Sequence, residues 1–388
     1  MLVAAVLGVA SLRESLAAPD LVGANFRVYR TAADAVLAGE SMYDVAPAGL
    51  SAAYSYLYPP VTVVAFLPLA LVPWEVGFAL FSLGSVAAGV ALAVVCGRYV
   101  ERSTPLSPID YALLTGFVLL SPLAAPSLVY GNVNVLVAAA VGVGFAAFET
   151  DRDAAGRLAG TALAASALAK LFPAGFAWWY VRERATAALA WGCGVAAAAL
   201  LGGLLAFGVD AHATYLDSVV LPRLAGDAGA GSSYVTVRRP LSHVVGPAAV
   251  GPAAALVLGG VVLALTAGRL DGRSERLLAL CGTVAAAVVF VPSYPLYLLY
   301  LSFPLLPALY LVEDDLARPL VHVGVLCLVV TVQAEDLSRV VAATGVEAAT
   351  ALEPLLSVAT PPLFGVVALW AAGFTVRVRR VRRAGRRR

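Results

Sequence analysis

Lysine occurs once in this chain of 388 residues, at position 170, and charge of either sign is scarce: Asp, Glu, Lys and Arg together make up 13% of it. A soluble domain carries about 25% charged residues. That deficit leaves too little polar material to coat a core of this size with a water-facing skin, which excludes an ordinary soluble protein. Cysteine is equally thin. Cys96, Cys193, Cys281 and Cys327 each stand alone inside an apolar run, without metal or redox spacing, and read as small hydrophobes. His212, His243 and His322 are too scattered to suggest a metal site. A Walker A loop and a Gly-rich dinucleotide fingerprint are both missing, which argues against nucleotide-driven chemistry. No internal repeat is strong enough to suggest an inverted-repeat transporter.

What is abundant is apolar: 61% of the residues, with a mean hydropathy of +0.88. The expectation is an all-α, polytopic membrane helix bundle in which every backbone group is paired inside helices and the outer surface meets lipid. A span needs roughly 20 residues. That ruler places about twelve apolar segments, near 1–12, 59–72, 75–97, 111–122, 132–148, 158–181, 186–209, 247–268, 277–291, 297–312, 319–333 and 355–376. The first is interrupted by Arg13 and Glu14 and reads as a signal-peptide core or a first span. Segments 59–72 and 111–122 read as re-entrant or spanning. The whole chain, 1–388, reads as one integral membrane domain.

Arginine sets the expected orientation. Arg182 and Arg184, then Arg269, Arg273 and Arg276, then Arg377, Arg379, Arg380, Arg382, Arg383, Arg386, Arg387 and Arg388 mark one side as cytoplasmic under the positive-inside rule. The tail, 377–388, reads as a stop-transfer anchor rather than a nucleic-acid-binding element. Loops 18–57 and 210–246 then fall outside, as does 334–354, with both termini on the cytoplasmic side of the cell membrane. Arg98 and Arg102 pull the 98–131 loop inward and leave the parity there open. Both long outer loops contain helical periodicity: Phe26, Tyr29, Ala33 and Leu37 in one, Tyr215, Leu216, Val219 and Val220 in the other. These read as amphipathic helices at the interface.

Lys170 lies inside the apolar run 158–181, within Ala-Leu-Ala-Lys-Leu-Phe-Pro, where a charge costs roughly 2.5–3.5 kcal/mol on insertion scales. Pro173 should break the helix beside it. One reading aims the ammonium into a polar cavity to neutralise an anion such as a phosphate; the other is a snorkelling lysine at a helix end. Further polar clusters stand out. Arg27 and Arg30 follow Asn25 and flank Tyr29 in the first outer loop, against the positive-inside bias. Tyr43 and Asp44, then Tyr54, Tyr56, Tyr58, Pro59 and Pro60, close that loop. Asn132 and Asn134 open a helix, which they either cap or use to hydrogen-bond a hydroxylated ligand. Arg238 and Arg239 end the second outer loop. Ser293, Tyr294, Pro295, Tyr297 and Tyr300 mark a break between apolar segments.

The order of these motifs is itself a signal: Asn-Phe-Arg-Val-Tyr (25–29), Leu-Ala-Gly-Glu-Ser-Met-Tyr-Asp (37–44), Tyr-Leu-Tyr-Pro-Pro (56–60), Pro-Leu-Ala-Leu-Val-Pro (68–73), Gly-Asn-Val-Asn (131–134) and Ala-Lys-Leu-Phe-Pro (169–173). From about residue 20 to about residue 310 the chain resembles glycosyltransferase family 87. That group of GT-C membrane enzymes includes polyprenyl-phosphate-mannose-dependent mannosyltransferases. The resemblance implies an inverting transfer of a hexose from a polyprenyl- or dolichyl-phosphate sugar to a glycan or glycolipid acceptor, on the outer face, needing neither metal nor nucleotide cofactor. It also implies a carboxylate base in the first outer loop and a lysine, here Lys170, on the lipid phosphate. The substrate-binding set expected from these motifs is Lys170, Arg27, Tyr29, Arg30, Tyr58, Asn132, Asn134, Arg238, Arg239 and Tyr294.

Two departures matter. The family's aspartate is replaced by Asn25, and an amide does not act as a general base at neutral pH. The candidate bases become Asp44, then Asp20, then Asp34, the last on the helix face opposite Phe26 and Tyr29. At 293–300 the family often carries Trp or His where this chain has tyrosines. Two alternatives follow: a non-catalytic relative that binds lipid-linked sugar without transferring it, and a secondary transporter.

Overall fold

Proline sets the breaks in this chain, and the breaks position the site. The computed structural model describes residues 1–51, 54–151, 155–222, 233–333, 336 and 352–385. In chain order its α-helices are α1 Leu2–Leu16, α2 Ala24–Leu37, α3 Leu67–Ala70, α4 Trp74–Glu101, α5 Pro108–Leu120, α6 Ala125–Val129, α7 Asn134–Thr150, α8 Gly156–Ala169 and α9 Ala177–Arg182. There follow α10 Thr186–Tyr215, α11 Arg238–Ser242, α12 Pro247–Thr266, α13 Arg273–Phe290, α14 Ser302–Leu311, α15 Ala317–Val329, α16 Glu353–Val358 and α17 Pro361–Gly385. No strand occurs among the described residues; a single antiparallel bridge joins Val235 to Ser293.

Four helices are long and apolar enough to cross a membrane: Trp74–Glu101, Thr186–Val220, Pro247–Thr266 and Pro361–Arg382. Pro108–Leu120, Asn134–Thr150, Pro295–Leu311 and Ala317–Val329 are shorter apolar helical stretches. With the composition, these make the chain a membrane protein. Segment 59–72 is not one helix. It is a 3-10 turn, Pro60–Ala65, followed by α3, because Pro59, Pro60, Pro68 and Pro73 withhold the N–H groups that a continuous helix needs. Arg13 and Glu14 do not stop the first helix, which runs to Leu16. The span expected to end at 209 kinks at Gly208 (φ 78°, ψ 176°) and continues as helix and π-turn to Val220. Helical structure at 215–220 is therefore present, as an extension of the long helix rather than a separate element.

The core is centred on α13 and on the stretch 298–308, whose side chains are almost all buried. Around it α4, α10 and α12 turn exposed leucines and valines outward, Leu205, Leu256 and Leu83 among them. Helix α5 starts at a capping box: Ser107 Oγ accepts from the Asp110 backbone N–H, and Asp110 Oδ2 accepts from that of Ser107.

Arg377, Arg379 and Arg380 lie in α17 and bind back to the body of the protein. Arg377 pairs with Glu275 (2.9 Å), Arg379 with Asp314 (2.8 Å), and Arg380 with Glu275 and Asp271. Arg386, Arg387 and Arg388 lie outside the described residues, as do 223–232 of the segment 210–246 and most of 334–354.

Candidate active site

Pro173 has no N–H, and its ring collides with the carbonyl four residues back, so α8 ends at Ala169. Lys170 follows in extended backbone (φ −146°, ψ 128°), and a 3-10 turn, Phe172–Phe176, takes over. The break turns the lysine toward aromatic partners. Its Nζ donates to Tyr58 Oη at 3.0 Å and to Tyr297 Oη at 3.4 Å, and lies 4.9 and 5.0 Å from the centres of those two rings. Both cation–π and hydrogen-bond stabilisation therefore act on one ammonium. No carboxylate pairs with it among the described residues. The site is held by neutral groups and carries a net positive charge.

Other segments converge on the same point. Tyr58 Oη shares a hydrogen bond with Tyr29 Oη (2.9 Å), which brings in α2. Tyr29 also stacks on Phe66 at 4.5 Å. Helix α2 is docked there by its own first turn: Gly23 N–H and Asn25 N–H donate to the carbonyls of Val129 and Tyr130. Gly131, at φ 67°, follows directly. A Cβ there would lie 2.7 Å from the Cβ of Phe26, so only glycine admits α2 this close. On the far side Tyr297 and Tyr300 sit three residues apart on the 3-10 turn Pro295–Leu301, a spacing that stacks them on one side. Tyr300 stacks against Phe172 and donates to Asn134 Oδ1 at 2.9 Å. Tyr43 closes the top. Its Oη donates to the Tyr58 carbonyl (2.7 Å), and its ring meets Tyr56 and Tyr215. Burial, with the neighbouring phenols Tyr56 and Tyr215, pushes the Tyr43 phenol above its ordinary range, so it stays a proton donor at neutral pH.

The motifs around residues 29, 43, 58, 134 and 170 thus meet in space, and the family model for glycosyltransferase family 87 matches residues 56–293. The chain belongs to glycosyltransferase family 87. No curated protein and no solved structure matches it. The matched span holds Tyr58, the Gly-Asn-Val-Asn turn and Lys170. It leaves out α2 and Tyr297, which the tertiary structure brings to the same cluster.

The remaining residues singled out in the sequence fall into distinct places. Asn25 is half-buried in the first turn of α2; the residue capping that helix is Gly23. Asp20 lies in the 3-10 turn Pro19–Leu21 with an exposed side chain, and its carbonyl accepts from Arg27. Asp34 is exposed and pairs with Arg30 at 3.6 Å. Asp44 is exposed and follows Tyr43 directly. Asn132 Oδ1 accepts from the Asn134 backbone (3.1 Å), which locks the turn before α7. The Asn134 side chain is committed at both ends, to Ser127 Oγ (3.3 Å) and Tyr300 Oη. Arg238 and Arg239 are buried in α11, where Arg238 Nε donates to the Phe290 carbonyl (2.9 Å). Tyr294 is exposed and meets Tyr234, ring centres 4.8 Å apart. Phe172, Ser127 and the paired role of Tyr297 and Tyr300 were not singled out as site residues from the sequence. The i, i+3 tyrosines after Pro295 were the available signal.

Proposed function

We propose that this glycosyltransferase moves a hexose, mannose-like, from a polyprenyl- or dolichyl-phosphate sugar to a lipid-linked or cell-envelope glycan acceptor on the outer face of the membrane, with inversion. The observation that carries the reading is Lys170, a cation in an apolar run whose partners among the described residues are phenols and rings. A lipid phosphate is the ligand that would neutralise it and make its burial favourable. The acceptor hydroxyl attacks the anomeric carbon as the bond from that carbon to the phosphate oxygen breaks. The bonding pair leaves with the lipid phosphate, where Lys170, Tyr58 and Tyr297 meet the developing charge. The acceptor proton passes to a loop carboxylate. Asp44 ranks first because its neighbour Tyr43 is tied to the Tyr58 backbone; Asp20 and Asp34 follow, the latter weakened by its pairing with Arg30.

The test is transfer of labelled sugar from polyprenyl-phosphate-mannose, and from its glucose analogue, by native protein reconstituted in lipid. Incorporation that disappears in Lys170→Ala, together with polyprenyl-phosphate binding, supports the reading. Binding that is unchanged in that variant would remove its basis. A second reading rests on Asn25: a relative that binds lipid-linked sugar without transferring it. Activity gained by Asn25→Asp, where the native chain has none, favours that reading; native activity that requires one loop carboxylate rejects it.

A further inference from the structure

An aromatic pair adjoins the Lys170 cluster without being tied to the lysine. Helix α13 ends at Phe290, and Tyr294 stands in the break before the 3-10 turn Pro295–Leu301 that carries Tyr297. Tyr294 is 45% exposed. Its carbonyl accepts from the Tyr297 N–H at 3.0 Å, so the two tyrosines lie one turn apart on a short, fixed segment. Tyr234 comes from a different part of the chain. The antiparallel bridge between Val235 and Ser293, with the Val235 N–H donating to the Ser293 carbonyl at 2.7 Å, seats it beside Tyr294. The two ring centres are 4.8 Å apart with the planes at 46°, and the two hydroxyls share a hydrogen bond at 3.3 Å. The Tyr294 phenol also interacts electrostatically with the phenols of Tyr54 and Tyr297. Rings and hydroxyls with no charge of their own therefore lead from Lys170, through Tyr297, to exposed surface. An isolated tyrosine at a membrane boundary is an ordinary belt residue. Two tyrosines from separate segments, tied by backbone and by hydroxyl, form a fixed wall.

We propose that Tyr234 and Tyr294 form a platform for a hexose ring, an inference that deepens the proposed sugar transfer and rests on that reading. The electron-rich face of a phenol ring attracts the polarised C–H groups on the apolar face of a pyranose, and the phenol hydroxyls can donate to or accept from the sugar hydroxyls. A neutral, polyhydroxylated ring is the ligand this uncharged wall fits; the phosphate belongs to Lys170. The hexose is either the one carried on the donor phosphate or the terminal sugar of the acceptor, and the chemistry is common to both.

The experiment uses the full chain in phosphatidylcholine nanodiscs, free of sugar detergents, and compares native protein with Tyr294→Leu, which keeps apolar bulk and loses the ring face. One arm titrates polyprenyl phosphate and polyprenyl-phosphate-mannose. The other titrates methyl α-mannoside, read by saturation-transfer NMR. About tenfold weaker binding of a mannose-containing titrant is expected in Tyr294→Leu, and near-native binding in Tyr294→Trp, which keeps a ring face. Loss for polyprenyl-phosphate-mannose but not for polyprenyl phosphate assigns the platform to the donor's hexose. Loss for methyl α-mannoside with both polyprenyl phosphates unchanged assigns it to the acceptor's. Tyr234→Phe, which removes one hydroxyl and keeps the ring, gives an independent reading should Tyr294→Leu fail to fold, with about a threefold loss expected. Equal affinity of native and variant chains for all three titrants, no saturable binding of either mannose-containing titrant, or an equal loss for polyprenyl phosphate with and without mannose overturns the proposal. The two readings fail differently: the platform by unchanged sugar binding in Tyr294→Leu, the phosphate site by unchanged polyprenyl-phosphate binding in Lys170→Ala.

Discussion

Two part-buried cations in this protein are treated in opposite ways. Arg276 lies among carboxylates: its Nε and Nη2 reach Glu149 at 2.6 and 2.7 Å, and its Nη1 reaches Glu183 at 3.0 Å. Trp179 completes the cluster, donating to Glu149 at 2.9 Å beneath the guanidinium, while Arg182 pairs with Glu183. Two arginines balance two glutamates. Lys170 has tyrosines and, among the described residues, no carboxylate. A charge neutralised by the protein's own side chains holds helices together and has nothing left to offer a ligand. A charge stabilised only by phenols and ring faces stays positive and reserves its strongest partner for something that arrives.

Breaking the balanced cluster gives the largest expected effect. Arg276→Met leaves Glu149 without its ion-pair partner and Glu183 without one of its two arginines, and should destabilise the protein by about 3–5 kcal/mol, read as the unfolding midpoint in detergent. Lys170→Met should leave that midpoint unchanged or raised, since an unneutralised charge is removed. It should lower sugar transfer about 10²–10³-fold, the loss typical of a missing transition-state donor. If both variants lose stability alike, the contrast between the two cations fails.

Asn134→Ala sharpens the comparison from the structural side. It leaves Ser127 and Tyr300 without their buried partner, so a loss of about 1–3 kcal/mol is expected, with transfer falling only as the folded fraction falls. Tyr58→Phe and Tyr297→Phe each keep the ring over Lys170 and remove one hydroxyl. Titration of polyprenyl phosphate should show about tenfold weaker binding in each, with little change in stability for Tyr297→Phe and a loss of about 1 kcal/mol for Tyr58→Phe, which also takes a partner from the buried Tyr29 hydroxyl. The smallest effect belongs to a partly exposed pair, Asp314 and Arg379. Burial works against the Asp314 carboxylate, but hydrogen bonds from Arg379 and from the Ala317 and Leu316 backbone outweigh it and hold the carboxyl below its ordinary 3.8. Because the folded state depresses it, its stabilisation is present above the unfolded value and is lost as pH falls through the folded one. Asp314→Asn should therefore remove less than about 1 kcal/mol at neutral pH and flatten the stability profile below about pH 4.

Much of the site was legible because its chemistry is costly in an apolar chain. A single lysine in a hydrophobic run, followed three residues on by proline, marks a helix end with a charge beside it, and α8 ends where the proline ring dictates. The amphipathic stretch of α2 was readable from periodicity, and Phe26, Tyr29 and Ala33 are buried as that pattern expects. Leu37, placed on the same face, is exposed at the last turn, where the helix runs past its packing partners. The two asparagines of the Gly-Asn-Val-Asn turn were equally readable as ligand hands or as caps. Only their partners show that Asn132 locks a turn and Asn134 bridges Ser127 and Tyr300.

Composition and hydropathy determined that this is a helical membrane protein, because no other backbone arrangement satisfies so many N–H and C=O groups with so little polar side chain. Motif order pointed to the family. Which tyrosine meets Lys170 was decided by tertiary structure alone. Tyr58 and Tyr297 lie 112 and 127 residues from it in the chain, and a pairing at that separation is fixed by helix packing, not by any local periodicity. The same holds for Arg27 Nε and Arg30 Nη1, which only the packed structure shows to be buried without a hydrogen-bond partner.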